Sequence, residues 1–397
     1  MATAQALPDA AQLNESSSAP LLVLLAAMPD EQLQDICARL ADVLPPSELL
    51  IAAHEHADST SISGMRFVTA PAARPSWTLT AAEFTHAHQL AQTNQARAVL
   101  LLGPESVSLS DSTLSTLAEA VLSAPNDLAV PCYDLPPRSG LVNSAILYPL
   151  SRALFATRSR FPLALDLGLS TRMAARLANA SQRFLSLNQS EAPIWPLNEA
   201  AAAGFTVTEV AAGTREFPHP ADPDLHTILP LLAGSLFADI EAKAAFWQRP
   251  RQAQPTCSPV SSPDTEDSAT DTASMLQAFR LGYTNLQEIW SLVLPPNSLL
   301  GIKRLSQLDA PAFRMPDNLW ARIVYDFLIA WKLRTINRGH LLGALIPLYL
   351  AWVAGHFHTT SSGGISPEQH VESTAAAFEA EKPYLVSRWR WPDRFNP

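Results

Sequence analysis

Three short apolar runs, each next to a helix-period segment, constrain the fold of this chain most strongly. The runs are LLVLLAA at Leu21–Ala27, ELLIAA at Glu48–Ala53 and AVLLL at Ala98–Leu102. Amphipathic helical patterns lie between or after them, at residues 30–44, 77–95 and 111–123. Wholly apolar strands that alternate with helices predict a parallel sheet covered by helices on both faces. Ligands of such sheets bind at the carboxyl ends of the strands, so the loops after these three runs are candidate site loops.

Charge and cysteine content exclude several classes of function. The chain has 397 residues, a net charge of −10 and a pI near 5.5, which argues against a nucleic-acid partner because phosphate binding needs a basic surface. The three cysteines are widely spaced and form no metal motif or disulfide framework. The N-terminal residues lack the pattern of a signal peptide, so we expect a reducing, cytoplasmic location.

Composition divides the chain into four parts. Residues 1–19 are predicted to be a disordered tail, and 20–248 an α/β domain. Residues 249–273 are rich in Pro, Ser, Thr and Asp without apolar periodicity, which predicts a disordered linker. Helical patterns dominate 274–397, with the longest apolar run at Leu341–Gly355. This run has about 15 residues and contains Pro347, whereas a membrane span needs ~20, so we expect a buried helix and no membrane association.

The stretch from Asp127 to Ser170 carries the most unusual pattern. A strand-like run is followed by a Pro/Arg/Gly break, a helix-period segment at Asn143–Phe155, and an apolar loop around Asp166. A carboxylate between Leu165 and Leu167 needs a partner or a function, because burying an unpaired charge is costly. The chain contains no nucleophile elbow, P-loop or dinucleotide fingerprint that would suggest another chemistry.

The same stretch contains three motifs in a fixed order. Their residues are Pro131, Tyr133, Asn143, Ser144, Tyr148, Pro149, Leu150, Arg152, Ala153, Leu154, Phe155, Arg160, Pro162, Asp166, Gly168 and Ser170. They resemble the motifs Pro-Tyr-Tyr, N-S-x-x-Y-P-L-x-R-A-L-[YF] and R-x-P-x-x-x-D-[FL]-G-[LF]-S of the glycosyltransferase family 2-like proteins related to mannosylglycerate and glucosyl-3-phosphoglycerate synthases. Near the C-terminus, LIPLYL at Leu345–Leu350 and K-P-Y-L-x-x-x-W at Lys382–Trp389 are also similar to family signatures.

The resemblance implies a GT-A, Rossmann-like nucleotide-diphospho-sugar transferase domain with a mostly helical C-terminal domain. The implied reaction transfers a hexose from a nucleotide-diphosphate sugar to a small polar acceptor such as glycerate. Asp166 would be the catalytic carboxylate that binds an acceptor hydroxyl or orients the donor sugar. The implied substrate-binding residues are Asn143, Tyr148 and Arg152 as its supports, and Arg138, Arg160 and Arg215 for anionic groups. Helix packing is the alternative role for the first three.

The family's divalent-cation site is altered in this sequence. The family has Asp-x-Asp after a strand, an Asp before Ile-Trp, and Gly-x-Lys-x-His. Gly103-Pro104-Glu105, Pro193 and Gly213-Thr214-Arg215-Glu216-Phe217 stand at these positions. Glu105 and His219 are the remaining candidate ligands for Mg²⁺ or Mn²⁺, and the alternative is a solvated loop residue and a surface histidine.

Two functions therefore follow from the sequence. The first is a hexosyltransferase that acts on a nucleotide-sugar donor and a small acceptor. The second is a catalytically silent relative that kept the fold and acts as a binding or scaffold protein, since fold and function can separate. The helical C-terminal part would complete the acceptor side of the cleft or form the interface of a homo-oligomer.

Overall fold

The computed structural model describes residues 21–54, 64–71, 76, 78–123, 125–134, 140–215, 225–249, 272–360 and 365–392. The predicted tail and most of the predicted linker lie outside these residues. The helix after the linker begins at Thr272, two positions before the predicted start of the C-terminal domain. The division of the chain into domains otherwise stays a prediction.

Seven strands form one mixed sheet. They are β1 (Leu21–Leu25), β2 (Leu49–Ala53), β3 (Arg66–Thr69), β4 (Ala98–Leu102), β5 (Leu128–Asp134), β6 (Asp166–Ser170) and β7 (Val207–Thr214). Their order is β3-β2-β1-β4-β6-β5-β7, and β6 runs antiparallel to both of its neighbours. The three apolar runs of the sequence are β1, β2 and β4, which confirms the predicted α/β architecture. The expected loop at Asp166 is instead the start of β6, because this segment pairs with β4 from Leu102↔Asp166 to Ala98↔Ser170.

The described helices surround the sheet and build the C-terminal part. They are α1 (Asp30–Val43), α2 (Ala81–Thr93), α3 (Asp111–Leu122), α4 (Tyr148–Phe155), α5 (Thr171–Leu185), α6 (Pro196–Ala203), α7 (Leu225–Ala242), α8 (Ala244–Trp247), α9 (Thr272–Asn285), α10 (Gln287–Val293), α11 (Pro296–Ser306), α12 (Asp317–Leu333), α13 (Arg338–Thr360) and α14 (Pro367–Arg390). A π-helical segment, Asn143–Leu147, leads directly into α4.

The two faces of the sheet have separate cores, as alternation of side chains along a strand requires. Leu22 and Leu24 of β1 point into one core together with residues of α2 and α5. Leu21 and Val23 point into the other together with residues of α1 and α3. Strands that are covered on both faces explain why β1, β2 and β4 read as continuous apolar runs.

A third, larger core joins the C-terminal helices to part of the preceding chain. The tryptophans Trp290, Trp320 and Trp352 are fully buried in it. Helices α4 and α7, which precede the predicted linker, pack into the same core. The aromatic residues of α12 are buried in this core, whereas Trp391 is 60% exposed.

Helices α7 and α13 are long and apolar enough to cross a membrane. In the most apolar window of α13, 78% of the residues are buried inside the protein, as in the central helix of a globular fold. The predicted buried helix at Leu341–Gly355 is therefore present within α13.

Candidate active site

The antiparallel direction of β6 brings its first residue to the carboxyl edge of the parallel strands. Asp166 pairs with Leu102, the last residue of β4. Tyr133 lies one residue before the end of β5, and Arg215 directly follows β7. The edge at which ligands of open α/β sheets bind therefore carries an aspartate, a tyrosine and an arginine from three different strands or their ends.

The carboxylate of Asp166 is completely buried, and both of its oxygens accept hydrogen bonds. Oδ2 accepts from the Tyr133 hydroxyl at 2.7 Å and from Arg215 Nε at 2.9 Å. Oδ1 accepts from the Gly103 backbone N–H at 3.0 Å and from Arg215 Nη2 at 3.3 Å. Arg215 Nη2 also donates to the Pro104 carbonyl at 2.7 Å. We call these five residues the Asp166 cluster.

The electrostatics of the Asp166 cluster favour a paired, charged arrangement. The side chains of Asp166 and Arg215 have no exposed surface. Burial alone would lower the pKa of Arg215, but the charge and hydrogen bonds of Asp166 raise it above its usual value. Burial and the neighbouring Asp166 charge raise the pKa of Tyr133 well above its usual range, so Tyr133 stays a hydroxyl donor. Arg215 is thus charged and Tyr133 is neutral at physiological pH.

Arg215 and Tyr133 are the partners that the buried carboxylate of Asp166 requires. A ligand would have to displace Arg215 or Tyr133 to reach the Asp166 carboxylate in the described conformation. The catalytic role of Asp166, and the role of Arg215 in binding anionic groups, stay predictions. The direct pairing of the two was not anticipated, because they are 49 positions apart and come from different segments of the sheet.

The candidate metal ligands are only partly described. Glu105 is half-buried in the turn after β4 and has a left-handed backbone conformation with φ of 62°. Arg138 and His219 lie outside the described residues. Within the parts of the chain that the structure covers, no three His, Cys, Asp or Glu side chains are grouped so that they could hold a metal ion.

Three of the other predicted substrate-binding residues contact α14, and Tyr148 and Arg152 are two of them. The Tyr148 hydroxyl donates to Glu372 at 2.6 Å. Arg152 donates to the Tyr148 hydroxyl at 3.1 Å, to Glu379 at 3.0 Å and to Glu372. Burial and the Glu372 carboxylate raise the pKa of Tyr148, so it remains a donor in this network. These contacts attach the C-terminal helix to α4.

Arg160 and Asn143 extend the same network toward the sheet. Arg160 donates to Glu368 of α14 at 3.1 Å and to the Ser144 hydroxyl at 3.0 Å, and its guanidinium lies 4.9 Å from the centre of the Tyr148 ring. Asn143 Nδ2 donates to the Arg160 carbonyl at 2.9 Å. The structure therefore brings Asn143, Tyr148, Arg152 and Arg160 together. Their contacts are those of helix packing, which was the alternative role considered for Asn143, Tyr148 and Arg152, and a role in substrate binding stays a prediction.

A buried histidine pair lies beside this network and was not predicted from the sequence. His356 Nδ1 and His370 Nδ1 lie 2.7 Å apart, and both rings stack on Trp352. His370 Nε2 is 3.5 Å from Asp317 Oδ1. The sequence places His356 and His370 in two different predicted helices, and it contains no signal that these helices pack against each other.

Comparisons with known proteins found similarity at the level of solved structures only. No protein-family model matches the chain, and no curated protein matches it. Glucosyl-3-phosphoglycerate synthase from Mycobacterium tuberculosis, in complex with Mn²⁺, UDP-glucose and phosphoglyceric acid, is 16% identical with a TM-score of 0.37, covering 57% of this chain and 81% of that one. The same enzyme with Mn²⁺, UDP and glucosyl-3-phosphoglycerate is 15% identical with a TM-score of 0.36, covering 57% and 82%.

A synthetase of another kind is found at a similar level. CMP:2-keto-3-deoxy-manno-octonic acid synthetase in complex with CTP is 12% identical with a TM-score of 0.33, covering 54% of this chain and 99% of that one. At such values, structural similarity does not establish an activity for this chain.

Proposed function

We propose that the protein is a glycosyltransferase that moves a hexose from a nucleotide-diphosphate sugar to a small polar acceptor of the glycerate type. The observation that carries this proposal is the strand order at the centre of the sheet. β2 and β3 lie on one side of β1, and the next strand of the chain, β4, lies on the other side of β1. The loops after β1 and β4 therefore diverge at the carboxyl edge, which is where ligands bind in open α/β sheets.

The residues at this edge support the proposal. The turn after β4 carries Glu105, β5 ends at Asp134, and the Asp166 cluster lies between them. The motifs that resemble the sugar-transfer family include Tyr133 and Asp166 at this edge, and Tyr148 and Arg152 in α4. In the proposed reaction Asp166 orients the reacting groups. Arg138, Arg160 and Arg215 bind the anionic parts of donor and acceptor.

The chemistry that such a site must supply is electrostatic. A departing nucleoside diphosphate carries negative charge, which a transferase stabilises with a divalent cation or with arginine and lysine side chains. A divalent cation, as in the Mn²⁺ complexes of the M. tuberculosis synthase, and arginine side chains are the two alternatives for this chain. We propose a cytoplasmic location for the activity, and a homo-oligomer built on the helical part remains part of the proposal.

Isothermal titration and a transfer assay together test the proposal. UDP-glucose and GDP-mannose are titrated into the full chain, and transfer of labelled hexose is measured with glycerate and 3-phosphoglycerate as acceptors. We expect one donor to bind and labelled product to form. Absence of binding to both donors, with and without Mg²⁺ or Mn²⁺, would contradict the proposal.

The burial of the Asp166 carboxylate favours a second function. Both of its oxygens are paired and have no exposed surface, so it offers no free carboxylate in the described conformation. A catalytically silent relative would keep donor binding and lose transfer. Donor binding without labelled product for either acceptor would favour this second function.

A further inference from the structure

We propose that the ion pair between Arg215 and Asp166 takes the place of a divalent cation at the carboxyl edge, so that this protein binds its donor without a metal ion. The identity of the donor rests on the proposed function, whereas the absence of a cation requirement rests on the Asp166 cluster alone. The side chains described at this edge do not fit a Mg²⁺ or Mn²⁺ site, as three observations indicate.

The first observation concerns Gly103, which occupies the first position after β4, where the family has the first aspartate of Asp-x-Asp. A Cβ atom at Gly103 would lie 2.4 Å from the backbone oxygen of Leu165 and 3.3 Å from its carbonyl carbon. These neighbours are backbone atoms and have no rotamers with which to move away. A carboxylate side chain at position 103 is therefore incompatible with the way β6 begins beside β4.

The second observation concerns Glu105, the one carboxylate in this turn. Its backbone oxygen accepts from the Ser108 hydroxyl at 2.6 Å and from the Ser108 N–H at 3.0 Å, which fixes the turn in its left-handed conformation. A hard cation such as Mg²⁺ takes about six oxygen ligands and is usually bound through one or two carboxylates plus substrate phosphates. Asp134 at the end of β5 is a second carboxylate at this edge, but the described residues bring no third His, Cys, Asp or Glu to the two, so they would be a weak anchor for a cation near Arg215.

The third observation concerns Asp166, whose oxygens are committed to four donor atoms of Gly103, Tyr133 and Arg215. The guanidinium of Arg215 also reaches the Pro104 carbonyl, so a permanent positive charge lies against the turn after β4. A divalent cation at this point would be repelled by Arg215 and would have to strip Asp166 of its hydrogen bonds.

Arg215 does the bridging that a cation would otherwise do. Its guanidinium connects the end of β7 to Asp166 at the start of β6 and to the turn after β4. Tyr133, near the end of β5, donates to the same Asp166 carboxylate. Arginine suits this task because it stays charged and its donors have a fixed geometry. Arg215 is thus a positioning residue that preforms the edge before a donor arrives.

Metal binding and donor binding are measured separately on the full chain. Electron paramagnetic resonance of added Mn²⁺ reports metal binding without any donor, and titration with UDP-glucose is run in EDTA and in Mn²⁺. We expect no tight Mn²⁺ site and donor dissociation constants that differ by less than about threefold, a difference of well under 1 kcal/mol. A tight Mn²⁺ site, or donor binding more than about tenfold weaker in EDTA, would overturn the proposal.

Variants of Arg215 separate this role from simple support of the fold. In Arg215→Met the Asp166 carboxylate loses its cation, and we expect Mn²⁺ binding to appear and Mn²⁺ to raise the melting temperature, which it does not do for the unaltered chain. Arg215→Lys keeps the charge, and we expect it to remain insensitive to Mn²⁺. This variant can be tested even if Arg215→Met fails to fold. Arg66→Lys, at an exposed position of β3, is the matched control. Absence of a Mn²⁺ response in the unaltered chain, in Arg215→Lys and in Arg66→Lys supports the proposal, and a response in the unaltered chain or in Arg215→Lys contradicts it.

The result also separates this inference from the proposed function. If no donor binds in either buffer, the transferase proposal fails while the Mn²⁺ measurement still decides the role of Arg215. If a donor binds only with Mn²⁺, the transferase proposal stands and the present inference fails.

Discussion

Arg152 of α4 donates to Glu379 of α14 across 3.0 Å, although the two residues are 227 positions apart in the chain. Arg152 also pairs with Glu372, which accepts from Tyr148. The Tyr-Pro-Leu-x-Arg motif, which lies before the predicted linker, is therefore the surface on which the C-terminal helix docks. The motif is thus a contact between the two halves of the chain, and its predicted role in substrate binding stays a prediction.

Removing the Arg152 charge should destabilise this contact. Arg152→Met leaves two carboxylates without their cation, and we expect the free energy of unfolding to fall by roughly 1–2 kcal/mol, because Arg152 is buried whereas Glu372 and Glu379 are 46% and 35% exposed and are partly screened by water. Urea unfolding followed by tryptophan fluorescence measures it. Arg158→Met is the control, since Arg158 is exposed on the same stretch. A loss below about 0.5 kcal/mol would show that the pair is not a stabilising contact.

The close approach at Gly103 predicts that even the smallest side chain is harmful there. In Gly103→Ala the added Cβ would overlap the Leu165 oxygen at 2.4 Å, and we expect a loss of about 2–4 kcal/mol in the free energy of unfolding. Gly343→Ala is the matched control, because a Cβ at this position within α13 meets no atom within 4 Å. We expect Gly343→Ala to stabilise the protein by up to about 1 kcal/mol, as alanine is the better helix former. Equal effects of the two substitutions would contradict the steric explanation.

Asp127 should make the protein sensitive to strong acid. Burial opposes ionisation of this carboxyl group, but hydrogen bonds from Arg172, Thr206 and Ser170 lower its pKa from 3.8 to about 2. A depressed folded-state pKa gives stability that is present above about pH 4 and is lost as pH falls toward 2, amounting to roughly 2 kcal/mol. Urea unfolding at several pH values should show this slope, and Asp127→Asn should flatten it. Asp309→Asn, at an exposed position, should leave the slope unchanged.

The histidine pair should add a second acid-sensitive step at higher pH. Burial, together with His370 and Arg160, lowers the pKa of His356 from 6.5 to about 3. The unfolded chain binds this proton below pH 6.5 and the folded protein does not, so stability should fall by roughly 2 kcal/mol between pH 7 and 5. His356→Gln should remove most of this dependence, whereas His340→Gln, on the exposed start of α13, should not. Identical pH profiles for the unaltered protein and His356→Gln would refute the assignment.

The α/β architecture and many helix positions could be predicted from sequence because their signals are local. β1, β2 and β4 follow from apolar runs, and the apolar periodicity of residues 318–334 predicts the helix that lies at Asp317–Leu333. The pattern of the last helix ends at Ala380, before Pro383, yet α14 continues to Arg390. Burial of Leu385 and Trp389 in the helical core outweighs the hydrogen bond that Pro383 cannot make.

By itself, the sequence determined the strands β1, β2 and β4, the apolar faces of many helices and the unusual position of Asp166, since each depends on neighbours within a few residues. Only the tertiary structure decided that the Asp166 segment is an antiparallel strand between β4 and β5, and that its carboxylate is paired with Arg215. It likewise decided that Arg152 binds α14. Such pairings join residues from 49 to 227 positions apart, and they form only when separate elements pack together and exclude water from the charges they bring with them.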